Sequence, residues 1–557
     1  THHQASVRAF NYGNQFLLIV SETFRDVRLV GAPPSAIGKF GGDTDNWIWP
    51  RHNADFSIFR IYAGADGAPA DPSPDNVPMT PRHVLPIDIG GVKEGDFDMI
   101  FGFPGNTQRY LSSFAVDHIV NTQDPLRIAM RDASLGVIDP AMRASDRTRL
   151  AYADRQSSIS NSWKKWIGEL RGLDELGTIA RKQEFEAIYL HRVDSAQRTD
   201  LRNTLLEMGP IYSEWAPYAV ARDLFTELVY NGPQLLEFAD RFEDLALRYD
   251  TLVAQGKLQE ELDRLQKSAD AHFKEFDPAI DRAIFLAQLP VYRDHMPKGM
   301  LPKGFDVIDQ KWKGDAEAFI NDLFARSIFT DAARFNAVMK KMNAKTARKL
   351  AQDPVFKLSQ SCYSTFLDNV RPTYAKLNER IEAHMRAYVA GLMQLFPERT
   401  WWPDANSTLR LSYGRVEGST PRDGVTYTPF TTLDGVLAKY EPGDAEFDVP
   451  QKLIELHDRR DYGRYGSDGT MPVCFTSSLH TTGGNSGSPV LNGRGELIGL
   501  NFDRTWESTM SDVQFDPAKC RNIAVDIRYV LFIIDKFASA TRLIAEMNIV
   551  DHNTPKP

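Results

Sequence analysis

Thr482-Gly483-Gly484-Asn485-Ser486-Gly487-Ser488-Pro489-Val490 sets a single serine among glycines just ahead of an apolar run. Glycine tolerates backbone conformations closed to other residues, so a chain built this way can turn sharply around Ser486. In such a turn the amides of Gly484 and Ser486 can converge on a developing oxyanion while Ser486 Oγ faces a scissile carbonyl. A bare Gly-x-Ser-Gly would fit a surface turn equally well. The next segment, Pro489-Val490-Leu491-Asn492-Gly493-Arg494-Gly495-Glu496-Leu497-Ile498-Gly499-Leu500, predicts a hairpin around Asn492-Gly493 and favours the nucleophile.

Working outward, the β pattern extends back to Trp401-Trp402-Pro403, with Leu409-Arg410-Leu411-Ser412-Tyr413 alternating as a strand. Residues 8–112 also predict short strands cut by Gly and Pro. The clearest is Asp55-Phe56-Ser57-Ile58-Phe59-Arg60-Ile61-Tyr62, with both faces expected to be buried in a barrel wall; Phe97-Asp98-Met99-Ile100-Phe101 is another. Between them, from about 113 to 400, the texture is helical and amphipathic. Leu224 and Leu228 precede the stop signal Asn231-Gly232-Pro233, and Phe319, Leu323 and Phe324 fall at i, i+4, i+5. The reading is an α+β chain with three parts: 1–112, a helical insertion at 113–400, and 401–557 carrying the nucleophile.

Composition narrows the function. The 557 residues are 42% hydrophobic, enough for real cores, and 65 Lys+Arg against 74 Asp+Glu leave a net charge of −9. That sign argues against nucleic acid as a partner. No apolar run approaches the roughly 20 residues needed to span a bilayer. Cys362, Cys474 and Cys520 are too scattered for a disulfide framework and are expected to be buried thiols, with one disulfide left open.

The nucleophile loop resembles that of chymotrypsin-fold peptidases, and Asn53-Ala54-Asp55-Phe56-Ser57-Ile58-Phe59-Arg60 resembles the segment holding their triad aspartate, which makes Asp55 the candidate acid. Asp26-Val27-Arg28-Leu29-Val30-Gly31-Ala32-Pro33-Pro34-Ser35, Asp43-Thr44-Asp45-Asn46-Trp47-Ile48-Trp49-Pro50-Arg51-His52, Phe101-Gly102-Phe103-Pro104-Gly105, Asn161-Ser162-Trp163-Lys164 and Val525-Asp526-Ile527-Arg528-Tyr529-Val530-Leu531 together resemble peptidase family S46 along essentially the whole chain. The resemblance implies a chymotrypsin-like double β-barrel, its first barrel incomplete here, with a large inserted α-helical domain. It implies a serine exopeptidase that acts on peptides with a free N-terminus and releases dipeptides, needs no cofactor or metal, and resides in the periplasm or at the cell surface. A homodimer is compatible with it.

Carried over residue by residue, Asn46, Trp47, Arg51, Asn161 and Asp503 surround the substrate's α-amino group. An ammonium calls for a carboxylate plus neutral acceptors, and a closed pocket end sets the cut two residues in. Arg504 follows on the strand that lines the S1 pocket, where arginine marks the subtype preferring Asp or Glu at P1 and glycine a broad or hydrophobic-preferring one. A guanidinium fork suits a carboxylate. The expected triad histidine belongs to a Thr-Asn-His-His-Cys motif that the chain lacks. Thr1-His2-His3-Gln4 is an imperfect match, and the expectation is an N-terminally truncated chain. Neither His52 nor His480 suits the role of base, so no histidine is assigned. Two alternatives remain: a broad or hydrophobic-preferring member of the family in which Arg504 is turned away from S1, and a peptide-binding fragment without a working triad.

Overall fold

The computed structural model describes residues 3–552. They divide into two compact units, one formed by 3–111, 168–181 and 389–552 and one by 112–167 and 182–388.

In the first unit the strands run β1 His3–Phe10, β2 Gln15–Glu22, β3 Asp26–Gly31, β4 Ile58–Ala63, β5 Val77–Pro78, β6 Ile87–Asp88 and β7 Phe97–Gly102. After the helical residues come β8 Arg410–Arg415, β9 Ser419–Arg422, β10 Val425–Tyr427, β11 Phe430–Thr432, β12 Pro472–Ser477, β13 Pro489–Asn492, β14 Leu497–Arg504, β15 Asn522–Asp526 and β16 Ile549–Val550. The largest sheet has the order β11-β12-β15-β14-β13-β7-β8, with β6 pairing β14 and β16. Beyond β8 the chain turns back onto β12, through the bridge Val416–Ser477 and the bond from the Glu417 amide to the Thr476 carbonyl at 3.1 Å. Ile100, Val416, Phe475, Val490, Ile498 and Ala524 pack together inside this circuit.

The hairpin of β13 and β14 forms as expected, but its turn differs. Asn492 N–H donates to Glu496 O at 2.9 Å and Gly495 N–H to Asn492 O at 3.0 Å; the left-handed residue is Gly495, not Gly493. A four-residue link with a bulge replaces the tight two-residue turn because the Asn492 side chain accepts the amides of Arg494 and Glu496.

The strand expected at 55–62 begins only at Ile58. Its partner β3 ends at Gly31, where Ala32-Pro33-Pro34 removes ladder donors. The expectation that both its faces are buried does not hold. Phe59 and Ile61 are exposed, as are Val27 and Leu29 beside them, since the sheet β3-β4-β5 stacks one face only. The hairpin β1-β2 likewise exposes Val7, Phe16, Leu18 and Val20.

The second unit is helical, with helices that start where capping chemistry dictates. Asp277 accepts the amides of Ala279 and Ile280 ahead of Pro278–His295, and Asp353 does the same ahead of Pro354–Ser364. Leu224 and Leu228 on Thr199–Val229, and Phe319, Leu323 and Phe324 on Ala316–Arg326, all face a core built around Phe238, Phe242, Phe329 and Phe335. The three cysteines are buried free thiols.

Candidate active site

The loop 482–488 is clamped from below. Asn485 N–H donates to Thr482 O, and its own Oδ1 accepts the Thr482 amide at 3.1 Å. The Asn501 side chain holds the Asn485 carbonyl at 3.2 Å and is itself held by Asn522. Gly484 has φ +100°, and a Cβ there would sit 2.4 Å from the Phe103 carbonyl oxygen, so no other residue fits without displacing backbone. Among the described residues neither the Gly484 nor the Ser486 amide donates a hydrogen bond. Two free N–H groups in one tight loop make a ready acceptor site for an oxyanion. Ser486 is exposed and its hydroxyl donates to the Phe502 carbonyl at 3.2 Å.

That carbonyl is available because β14 is bulged: Asn501 pairs with Ala524 and Asp503 with Ile523, leaving Phe502 outside the ladder. Just past the bulge, Asp503 Oδ2 accepts the Trp47 amide at 3.2 Å and Arg51 Nη1 at 2.6 Å, and Oδ1 accepts the Arg504 amide at 2.8 Å. Three of roughly four lone-pair positions on the carboxylate are thus filled by donors that fix its orientation, with capacity for one more. Arg51 is buried and spends Nη1 on the Asp45 carbonyl as well, so its charge serves Asp503. Trp47 adopts φ +67°, an uncommon left-handed conformation for a bulky residue, and this aims its amide at Asp503. Asn46 is half-buried in the same turn, its amide on the Asp43 carbonyl. The structure therefore gathers Asn46, Trp47, Arg51, Asp503 and Arg504. Asn161 belongs to the helical unit, exposed on the helix Asp146–Glu175.

Arg504 is 4% exposed. It makes a two-pronged pair with Asp512, Nη1–Oδ1 at 2.7 Å and Nη2–Oδ2 at 2.9 Å, and Nη1 also donates to Thr481 O and Ser511 Oγ. Burial works against its charge, and Asp512 more than restores it, leaving the guanidinium above its ordinary range. Asp512 was not legible in advance; the one signal is that a buried arginine requires an anion nearby.

Asp55 lies just before β4 and is exposed, yet the protein packed around it pushes its carboxyl above the ordinary carboxylate range; Arg51 opposes the shift and Asp503 adds to it. Among the described residues no histidine hydrogen-bonds to Ser486. His52 is buried, its pKa pushed down to about 3 by burial and then Lys439, with Nε2 lying where a side chain on Gly435 would have to go. His480 Nε2–H donates to Ser511 O, the ring lies tilted against Phe515, and its pKa is lowered to about 4, chiefly by burial. One group among the described residues has metal-ligand composition, Asp88, Glu496 and His552, but Arg494 already contacts both carboxylates at 2.9 and 2.7 Å. No helix among the described residues is long and apolar enough to cross a membrane.

A family model described as Peptidase S46 matches residues 1–549. The chain is similar to an Asp/Glu-specific dipeptidyl-peptidase of Flavobacterium psychrophilum, with 45% identity over 545 residues that cover 98% of this chain and 76% of that protein. It is also 40% identical to dipeptidyl-peptidase 7 of Phocaeicola vulgatus over 98% of this chain and 76% of that one. Its mixed α and β fold is similar to the crystal structure of Porphyromonas endodontalis DPP11 in complex with the dipeptide Arg-Glu, at TM-score 0.89 and 35% identity, covering 98% of this chain and 78% of that one.

Proposed function

The chain belongs to peptidase family S46, and from that premise we propose that it is a serine dipeptidyl peptidase releasing N-terminal dipeptides with Asp or Glu at P1. Ser486 is the nucleophile, the Gly484 and Ser486 amides bind the oxyanion, and Asp55 is the triad acid. Asp503, held by Arg51 and Trp47, anchors the substrate ammonium together with Asn46; Asn161, on the helical unit, is assigned to this role by the resemblance to the family alone. Arg504 takes the P1 carboxylate. The base comes from a histidine outside the residues assigned here. The circuit from β12 through β8 is the second barrel of a chymotrypsin-like pair, 113–400 is the inserted helical domain, and 1–112 contributes to the first barrel. Export to the periplasm or cell surface and a homodimer belong to the same proposal, the dimer to be tested by light scattering.

The observation that carries this reading is the sequence of contacts along β14: Phe502 carbonyl on the nucleophile, Asp503 oriented by three donors, Arg504 buried as a cation. An ammonium held by Asp503 and neutral acceptors gains charge-assisted contacts worth about 1.5–3 kcal/mol each, which an acetylated amide cannot replace. In the full-length protein, a free-amine substrate with Glu at P1 is expected to be cleaved, its N-acetyl counterpart to lose at least about a hundredfold in kcat/KM, and Ser486→Ala to abolish both. Equal cleavage of the blocked peptide identifies an endopeptidase instead; near-parental turnover by Ser486→Ala removes the nucleophile.

A further inference from the structure

The guanidinium of Arg504 has two faces on which a carboxylate can form paired hydrogen bonds, and they are not in the same state. The end-on face, Nη1 and Nη2, is filled by Asp512 Oδ1 and Oδ2 at 2.7 and 2.9 Å, and Nη1 is further committed to Thr481 O at 3.1 Å and Ser511 Oγ at 2.9 Å. The side-on face consists of Nε–H and the second hydrogen of Nη2. Nε is buried and has no hydrogen-bond partner among the described residues. The indole of Trp47 lies 5.4 Å from the guanidinium carbon, and its own Nε1 is likewise buried without a partner. Orphaned buried donors cost free energy that an incoming acceptor recovers, so the free side-on pair is where an acceptor reaching Arg504 gains most.

Charge points the same way. Besides Asp512, Asp503 and Glu169 both act on Arg504. A cation among three carboxylates is not a bare positive attractor, and its preference for an acidic side chain has to come from directed hydrogen bonds more than from net field. Directed bonds depend on the angle at which the guanidinium is held, and arginine has four rotatable side-chain torsions that nothing but contacts can fix.

We propose that Asp512 is the positioning residue for P1 selectivity: by occupying the end-on pair of Arg504 N–H groups, it holds the side-on pair, Nε–H and the outer N–H of Nη2, in the one orientation that receives a P1 carboxylate. This rests on Arg504 reading P1. Asp512 touches no substrate atom; it acts only through Arg504.

The test compares matched free-amine dipeptidyl substrates with Glu or Gln at P1, which differ in charge and scarcely in shape, in the full-length protein. The ratio of their kcat/KM values is the readout. A parental ratio near one means that Arg504 does not read P1, and the reading beneath this inference fails by itself. Given a large parental ratio, Asp512→Ala is expected to lower it ten- to a hundredfold, through a raised KM for the Glu substrate, while the Gln substrate stays within about threefold. Asp512→Asn keeps one acceptor for Nη1 and should fall between. A role in folding alone would depress both substrates together and leave the ratio untouched, which overturns the proposal. A ratio that rises in Asp512→Ala also overturns it, because Asp512 would then be a competitor for Arg504. If the alanine variant does not fold, the asparagine variant decides by the same criterion.

Discussion

At the scale of single residues, two buried charges make opposite demands. Arg504 is a buried cation with an internal anion, and on the proposed reading removing it deletes both the attraction for an acidic P1 and the bulk that excludes an apolar one. Arg504→Gly is expected to lower kcat/KM for P1 Asp or Glu by thirtyfold to several thousandfold, following about 2–5 kcal/mol for a buried charged contact broken on one side, while sparing or improving P1 Leu. Matched substrates in the parent and variant check this; equal loss on all of them makes Arg504 structural. Asp98 on β7 is a buried anion with none. It is fully buried, and burial pushes its pKa up to about 7 against the opposing pull of the neighbouring Ser477 hydroxyl. The folded state therefore holds a proton that the unfolded chain gives up near pH 4. Stability from this group is fully present below pH 4, declines between pH 4 and 7, and stays lost above. Asp98→Asn is expected to leave the melting temperature unchanged at pH 4 and to raise it at pH 8, with roughly 1–3 kcal/mol gained. A gain that is the same at both pH values sinks the explanation.

At the scale of elements, the helix Asp146–Glu175 meets the short helix Trp506–Asp512 through two glycines one turn apart. A Cβ on Gly168 would lie 1.9 Å from Trp506 Nε1 and 2.5 Å from Thr509 Oγ1, and one on Gly172 would lie 2.7 Å from Met510 Cγ. The short helix carries Ser511 and Asp512 to Arg504, so the glycines set where the anion stands. In an exposed helix, Gly→Ala gains about 1 kcal/mol; here overpacking of about 1–3 kcal/mol opposes it. Gly168→Val adds still more bulk and is expected to lower the melting temperature, and to lower the Glu-over-Gln selectivity at P1 as the short helix is pushed outward. A variant with unaltered melting and selectivity would show that the contact relaxes freely.

Much of this was legible in the sequence, and for identifiable reasons. The Gly-x-Ser-Gly loop, the hairpin after it and the amphipathic helices are local features, encoded by neighbours in the chain. The roles assigned to Asn46, Trp47, Arg51 and Asp503 came by resemblance, and the structure brings those four residues together. Local reading failed where distant strands decide. Phe59 and Ile61 alternate like a strand covered on both faces, but coverage depends on what packs there. The bulge at Phe502 and the partner Asp512 left no periodic or compositional trace, because each exists only through the register of β14 and β15 and the fold of the segment after it.

For the whole molecule, the exposed apolar residues of β1-β2 and β3-β4 are the main liability. Val7, Phe16, Leu18, Val20, Val27, Leu29 and Phe59 lie on strands with unpaired edges or open faces, the usual template for association. This chain, which spans about three quarters of the relatives it matches, is expected to self-associate as its concentration rises, and Leu29→Lys with Phe59→Lys to reduce that by at least severalfold in light scattering. Unchanged association in the double variant would assign it to another surface. The three thiols are buried, and burial pushes Cys362 and Cys474 up to about 12 and Cys520 to about 11, so none should influence association through reductant.

The bulge in β14 has a consequence of another kind. On the proposed reading, three consecutive residues, 502, 503 and 504, hold the nucleophile's hydroxyl, the substrate's terminus and its second side chain, because one skipped rung lets neighbours work side by side instead of alternating. On the proposed reading that strand is a graduated scale: the mark at 503 sets how much is cut off, and the mark at 504 sets what must be there. The two marks are separate residues on a common backbone, so taste can drift while length of cut stays put. On that reading, substitution at 504 changes the preference while the product stays a dipeptide.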